Sequence, residues 1–429
     1  MSHIAHAATA ATGLTILPPR RPLRGRVAPP GSKSITNRAL LLAALAEGTS
    51  RLTGALKSDD TRHMAVALRR MGVTVEEPDE TSFTVTGRGR LLPPDGPLFL
   101  GNAGTATRFL CAAAATAEGR VVIDGDAHMR RRPIAPLVAA LRALGVEASD
   151  TEGCPPVVVE GRGGFAGGRV EVDAALSSQY VSALLMAAAC GRAPVEVALA
   201  GPEIGARGYV DLTLAAMAAF GAAVEPLGAA SWRVLPTGYR ARDFAVEPDA
   251  SAATYLWAAE VLTGGAIDLG VAPGGFTQPD ARAQATIARF PALPPVIDGS
   301  QMQDAVPTLA VLAAFNREPV RFTGIANLRV KECDRVAALA AGLDRIAPGL
   351  GREDGDDLLV SPARLEAARP ARIETYADHR IAMSFALAGL RLDGITILDP
   401  DCVNKTYPGY WDALRSLGVE LRDAAGAAA

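Results

Sequence analysis

Paired cysteines are missing from this 429-residue chain: Cys111, Cys154, Cys190, Cys333 and Cys402 are scattered, with no CxxC among them. An odd, dispersed set argues against a disulfide framework or a zinc site and fits a reducing, cytoplasmic setting. An excess of either charge is missing too. The net charge of −3 gives no global field to hold nucleic acid or an anionic membrane, so neither is expected as a partner. Long apolar runs are absent: the longest apolar helices read from the sequence, 39–46 and 183–190, are far too short to span a bilayer. The opening Met1-Ser2-His3-Ile4 stretch has neither a basic start nor an apolar core, so no export signal is expected. The first dozen residues and the tail 424–429 are expected to be disordered. Aromatic residues are only 5% against 49% hydrophobic, which leaves the packing to alanine and aliphatics. The length favours two domains.

Lysine and asparagine are the most informative scarcities. Of 43 lysines and arginines only Lys33, Lys57, Lys331 and Lys405 are lysine, and the asparagines are Asn37, Asn102, Asn316, Asn327 and Asn404. Most of them fall within the short polar segments described below. A lysine kept where arginine is otherwise preferred points to a compact ammonium with a tunable pKa.

A helix ending of the form Leu-x-x-apolar-Gly recurs at Gly72, Gly145, Gly221 and Gly418, in three cases followed by valine. Glycine closes a helix in the left-handed conformation and a β-branched residue opens a strand. The spacing predicts six units of roughly seventy residues, with two degenerate copies near Phe290 and near 346–349. Each unit places a polar helix start before an apolar helix: Gly31-Ser32-Lys33, Gly101-Asn102-Ala103-Gly104-Thr105, Ser177-Ser178-Gln179, Asp249-Ala250-Ser251, Gln303-Asp304 and Asp378-His379-Arg380. Unpaired N–H groups and the macrodipole make such starts suitable for anions, and two faces of them opposed across a cleft would surround a multiply charged ligand.

The first start is followed by Ser34-Ile35-Thr36-Asn37-Arg38, which sets two cations one turn apart. A Walker P-loop is excluded, because the order is Gly-Ser-Lys-Ser. The loop at Gly101–Thr105 is a glycine nest before a helix. Met129-Arg130-Arg131-Arg132-Pro133 and Asn327-Leu328-Arg329-Val330-Lys331-Glu332-Cys333-Asp334-Arg335 are dense charge clusters that, taken singly, could be solvated surface.

In order and combination, these motifs, with Asn404-Lys405-Thr406, resemble the 5-enolpyruvylshikimate-3-phosphate synthase family from about residue 14 to 421. The resemblance implies a two-domain inside-out α/β barrel, each domain built of three βαβαββ units. One domain is 31–246; the other joins 1–30 to 247–429. It implies a monomeric transferase that moves the carboxyvinyl group of phosphoenolpyruvate to the 5-hydroxyl of shikimate 3-phosphate, without cofactor or metal. Lys33, Gly104, Arg132, Gln179 and Lys405 would hold the phosphate of phosphoenolpyruvate, and Arg335 and Arg380 its carboxylate. Ser34, Arg38, Ser177, Ser178, Asp304, Asn327 and Lys331 would hold shikimate 3-phosphate, with Lys33 and Gln179 touching both substrates. Asp304 would take the hydroxyl proton, Glu332 would serve the methylene carbon, and Lys33 the leaving phosphate.

Two positions depart from the family pattern. Ala206 stands where a serine is usual, and Phe109 where a proline is common. The alternatives are the sister transferase acting on UDP-N-acetylglucosamine, whose pattern has Gly-Ala-Lys-Asn at the first helix and a cysteine before Arg-Pro, and a non-catalytic protein of the same fold. The loop Gly125-Asp126-Ala127-His128-Met129-Arg130-Arg131-Arg132 holds no cysteine, and Asp304, Glu332 and Lys33 are all present.

Overall fold

The computed structural model describes residues 13–175, 177–201, 207–272 and 274–423. The expected disorder of the first dozen residues and of 424–429, and the departure at Ala206, fall outside the described residues.

Among the described residues, twelve α-helices follow the polar starts and the glycine-closed repeats: α1 (Lys33–Leu45), α2 (Asp59–Arg70), α3 (Gly104–Ala113), α4 (Ala135–Ala143), α5 (Ser178–Ala188), α6 (Gly208–Ala219), α7 (Ala250–Thr263), α8 (Ala283–Ile287), α9 (Val306–Ala313), α10 (Arg335–Ile346), α11 (His379–Gly389) and α12 (Tyr410–Ser416). Every side chain of α3, α9 and α11 is buried, and nearly every one of α1 and α5. A helix apolar on all sides belongs inside a core. Close packing of several such helices needs small residues, which accounts for the alanine-rich, aromatic-poor composition. Apolar residues from Ile35 to Val246 form one contiguous core; those from Leu14 to Val27 and from Ala252 to Leu421 form a second.

Sheets wrap these helices with one recurring order. Strand Leu98–Phe99 runs parallel to Glu118–Asp124, which pairs antiparallel with Cys154–Arg162, which in turn takes Glu147–Thr151 at its edge. A helix lies between the parallel strands, as a parallel crossover requires, and a hairpin supplies the last two. The same order recurs in the sheets that begin at Gly168–Val172 and at Val296–Asp298. Two of the larger sheets are completed by chain from far away. Strands Tyr239–Arg240 and Phe244–Ala245 run parallel to Ala46–Thr53, and Gly13–Ile16 inserts between Ile395–Leu398 and Leu421–Asp423.

Both helix ends expected to be degenerate lack the glycine in its usual place, but only the unit near Phe290 is also reduced in structure. It keeps the five-residue α8 and a two-stranded sheet, Arg24–Arg26 with Ala266–Asp268. The copy at 346–349 is complete: Gly349 turns the chain at φ +78° into the hairpin Gly351–Asp354 and Asp357–Val360. The Leu-x-x-apolar-Gly signature is absent there because α10 ends in Ala347-Pro348 before the turning glycine.

Candidate active site

The polar starts do begin helices, and their caps are visible. Ser32 accepts from Ile35 N at 3.3 Å, Ser177 from Gln179 N at 3.2 Å, Asp249 from Ala252 N at 2.9 Å and Asp378 from Arg380 N at 2.8 Å. The ends of the two sets meet. Asp249, from the second core, also accepts from Lys33 N at 3.0 Å, and Ser32 donates to Gln278 Oε1 at 2.8 Å, so α1 and α7 begin against each other.

Between the cores lie two adjoining compartments. The first, of about 40 Å³, is lined by Lys33, Ser34, Arg38, Ser177, Ser178, Gln179, Tyr209, Gln303, Asp304 and Lys331. The second, about 20 Å³, is lined by Asp60, Gly104, Thr105, Arg132, Glu332, Arg335 and Arg380, and it shares Lys33, Gln179, Asp304 and Lys331 with the first. The four shared residues mark the seam. A roomier cavity lined by Leu17 to Arg24 and Arg422 includes none of the candidate residues.

In the first compartment Arg38 is fully buried and fixed at every nitrogen. It donates to Thr213 Oγ1 (2.7 Å), Ser34 O (2.9 Å), Tyr209 O (3.1 Å) and Ser182 Oγ (3.3 Å). Its guanidinium carbon lies 5.1 Å from the centroid of the Phe109 ring, so the residue that departs from the family pattern packs beneath a site cation. Burial pushes the Arg38 guanidinium down to about 10.

The second compartment is a lattice of opposite charges. Arg335, 1% exposed, donates to Asp378 Oδ2 (2.8 Å), Glu332 Oε2 (2.7 Å) and Asp304 Oδ1 (3.1 Å). Arg380 grips the other oxygen of Asp304 at 2.8 Å. Lys405 lies 3.3 Å from Asp60 and 3.7 Å from Glu332, Arg132 lies 3.8 Å from Glu332, and Lys33 lies 3.7 Å from Asp60. Buried charges are tolerable only when paired in this way. Gly104 is closely enclosed: a Cβ there would come to 2.7 Å from guanidinium nitrogens of both Arg108 and Arg132, which would have to shift. Gln179 is held between Arg108, which donates to its Oε1 at 3.0 Å, and Thr105, whose Oγ1 accepts from its Nε2 at 3.2 Å.

This arrangement sets the protonation states. Burial alone would raise the Asp304 and Glu332 carboxyls. For Asp304, Arg380, Lys331, Arg335 and Lys33 outweigh burial; for Glu332, Arg335, Arg132 and Lys405 do so, and both carboxyls stay well below the usual range. Burial lowers the Lys331 ammonium to about 8, against the pull of Asp304. His379 is held far below its usual value by burial and then by Arg380, so its imidazole is neutral.

The structure thus brings Lys33, Ser34, Arg38, Gly104, Arg132, Ser177, Ser178, Gln179, Asp304, Lys331, Glu332, Arg335 and Arg380 onto one cleft. Lys405 stands behind the second compartment, against Asp60 and Glu332. Asn327 is buried on the turn Ala326–Val330, outside both linings, with its Oδ1 unpartnered. Sequence reasoning missed Asp60 and Tyr209 as lining residues, while Thr105 and Gln303 lie in two of the polar helix starts it named without a role of their own. The signal for Asp60 was its place in the first turn of α2, just after the rare Lys57.

The architecture is that of enolpyruvyl transferases. Over 96% of this chain it superposes on 100% of an EPSP synthase from Acinetobacter baumannii (TM-score 0.78, 26% identity), and over 96% on 99% of the enolpyruvyl transferase NikO from Streptomyces tendae (0.74, 17%), a likeness of fold alone. The model of the family "EPSP synthase (3-phosphoshikimate 1-carboxyvinyltransferase)" matches residues 17–414. The chain is 70% identical over 412 residues to the 3-phosphoshikimate 1-carboxyvinyltransferase of Rhizobium leguminosarum bv. trifolii, covering 96% of this chain and 98% of that one. It is 69% identical to that of Pseudomonas savastanoi pv. phaseolicola, covering 95% and 98%. The chain belongs to the EPSP synthase family.

Proposed function

We propose that the two compartments hold the two substrates of one reaction, with the acid–base residues at and beside their seam. The chain transfers the enolpyruvyl group of phosphoenolpyruvate to shikimate 3-phosphate, releasing phosphate, in aromatic amino acid biosynthesis. The observation that carries this reading is that Lys33, Gln179, Asp304 and Lys331 line both compartments at once.

The first compartment takes shikimate 3-phosphate. Ser34 and Arg38 face its carboxylate, Ser177 and Ser178 its phosphate, and Asp304 and Lys331 its ring hydroxyls, joined by Asn327 through its free carbonyl oxygen. The second takes phosphoenolpyruvate, its carboxylate on Arg335 and Arg380 and its phosphate among Lys33, the Gly104 backbone, Arg132, Gln179 and Lys405. Charge-assisted bonds of this kind are the strong ones. The incoming carboxylate competes for the two arginines that now hold Asp304, which frees Asp304 to accept the proton of the 5-hydroxyl as its oxygen attacks C2. Glu332, protonated in the loaded site, delivers its proton to the methylene carbon and takes one back in the elimination, while the proton held by Asp304 leaves with the phosphate. Lys33 offsets the charge that develops on the departing phosphate.

We assign residues 31–246 to one unit and 1–30 with 247–429 to the other, since the two cores divide along those lines, and we read the enzyme as a cytoplasmic monomer. UDP-N-acetylglucosamine is the acceptor to test against. Phosphate release should be seen with shikimate 3-phosphate and not with the sugar nucleotide; the reverse result would overturn the assignment of the first compartment.

A further inference from the structure

Asp280 lines neither compartment and belongs to none of the motifs above, yet it is wholly buried next to both. It lies on the turn Pro279–Arg282, between α7 and α8. Its Oδ2 accepts from the hydroxyl of Tyr209 and from Ser251 Oγ (3.1 Å), and its Oδ1 from the backbone N–H of Ala305 (3.1 Å). Among the described residues no lysine or arginine forms an ion pair with it. Burial and the nearby Asp304 raise it to about 6. The charge of Arg380 pulls the other way without pairing with it, and the three donors hold the carboxyl in place.

Those donors come from different parts of the cleft. Tyr209 sits at the start of α6, in the first core, and lines the acceptor compartment. Ala305 directly follows Asp304, in the second core. One carboxyl group therefore ties the wall of the acceptor compartment to the peptide that carries the base. The surrounding contact is tight: a Cβ on Gly208 would come within 2.8 Å of Pro279.

We propose that Asp280 is a positioning residue that sets the distance between the acceptor hydroxyl and Asp304, by fastening Tyr209 and the Asp304–Ala305 peptide to one point across the two cores. This rests on the reading of Asp304 as base and of the first compartment as the acceptor site. The bond from Tyr209 forms only when the cores approach, so it also ties correct placement of the base to closure. Asp280 does not touch substrate; it acts through its two partners.

The test uses the full-length enzyme with Asp280→Asn, Tyr209→Phe and the double substitution. Misplacement of a reacting group by an ångström can cost on the order of 10²-fold in rate. Asp280→Asn should lower kcat by about 10- to 100-fold, with KM for phosphoenolpyruvate nearly unchanged. The double variant should be no slower than Asp280→Asn alone, because both changes cut the same link. Wild-type kcat in Asp280→Asn, or losses that multiply in the double variant, would overturn the proposal. Should Asp280→Asn fail to fold, Tyr209→Phe and Ser251→Ala keep the carboxylate and give the reading instead. Tyr209→Phe should lose more in kcat than Ser251→Ala, and equal losses, or none, would overturn it. Wild-type turnover of shikimate 3-phosphate, measured in the same series, shows separately whether the underlying reaction stands.

Discussion

Replacing Glu332 by glutamine tests the acid–base assignment most directly. The carboxyl accepts from Arg335 at 2.7 Å, with Arg132 and Lys405 at 3.8 and 3.7 Å, and these cations keep it ionised in the free enzyme. To protonate the methylene carbon it must first gain a proton, which becomes favourable when the carboxylate and phosphate of the substrate neutralise those same cations. The amide keeps the size of the side chain and can still accept from Arg335, which also retains Asp378 and Asp304. Folding should survive: breaking a buried pair outright costs about 3–5 kcal/mol, and an amide that keeps the hydrogen bond should cost less. Catalysis should not survive. A positioned acid contributes roughly 10²–10⁴-fold, or about 3–5.5 kcal/mol of barrier. Run in heavy water, the wild type should exchange the methylene hydrogens of phosphoenolpyruvate with solvent whenever protonation reverses, and the variant should lose turnover and exchange together. Near wild-type turnover with normal deuterium uptake in Glu332→Gln would refute the assignment and transfer the role of donor to Lys33.

The cysteines should be bystanders. Burial pushes the Cys111 and Cys190 thiols up to about 12, and exchanging all five cysteines for alanine or serine should leave turnover of the same order; collapse of activity in a folded protein would favour cysteine-dependent chemistry. The free enzyme should rest in a more open form and compact when both anionic substrates bind, seen as a fall in radius of gyration by small-angle scattering; an unchanged radius would count against a cleft shared by the two cores. Lys331, lowered by burial to about 8, must be charged to hold the acceptor, so affinity for shikimate 3-phosphate should fall about tenfold per pH unit as pH rises above 8. That slope should vanish in Lys331→Met, and its persistence would assign it to another group.

Helix starts were legible in the chain because caps, glycine nests and prolines are local signals, and the scarcity of lysine and asparagine concentrated attention on the residues that became the cleft. Lys33, Gln179, Asp304 and Lys331 meet at the seam although they come from four segments, as the repeated units implied. Asp60, Tyr209 and Asp280 were not legible. Each acts through a contact made between units, with nothing in its neighbours to mark it; Asp280 sits in Gln278-Pro279-Asp280, which reads as an ordinary turn. The pairing of residues 239–245 with the first unit was likewise hidden, since register across two hundred residues leaves no local trace. The helix end at 346–349 is degenerate, as its displaced glycine indicates, yet the hairpin that follows is intact, which the helix end could not show.

The strand Gly13–Ile16 occupies an inner place in its sheet, between Ile395–Leu398 and Leu421–Asp423. On the ribosome it emerges long before both of its neighbours. At about 5–20 residues per second it must wait roughly 20–80 seconds for them. Meanwhile the core from Ile35 to Val246 can condense alone, because its own late strand, Phe244–Ala245, is made by then. The nascent protein therefore carries, through most of its synthesis, an unpaired apolar strand tethered to a finished half. A loss of yield when that strand is made more hydrophobic is the expected cellular cost of closing this sheet with a strand made so much earlier.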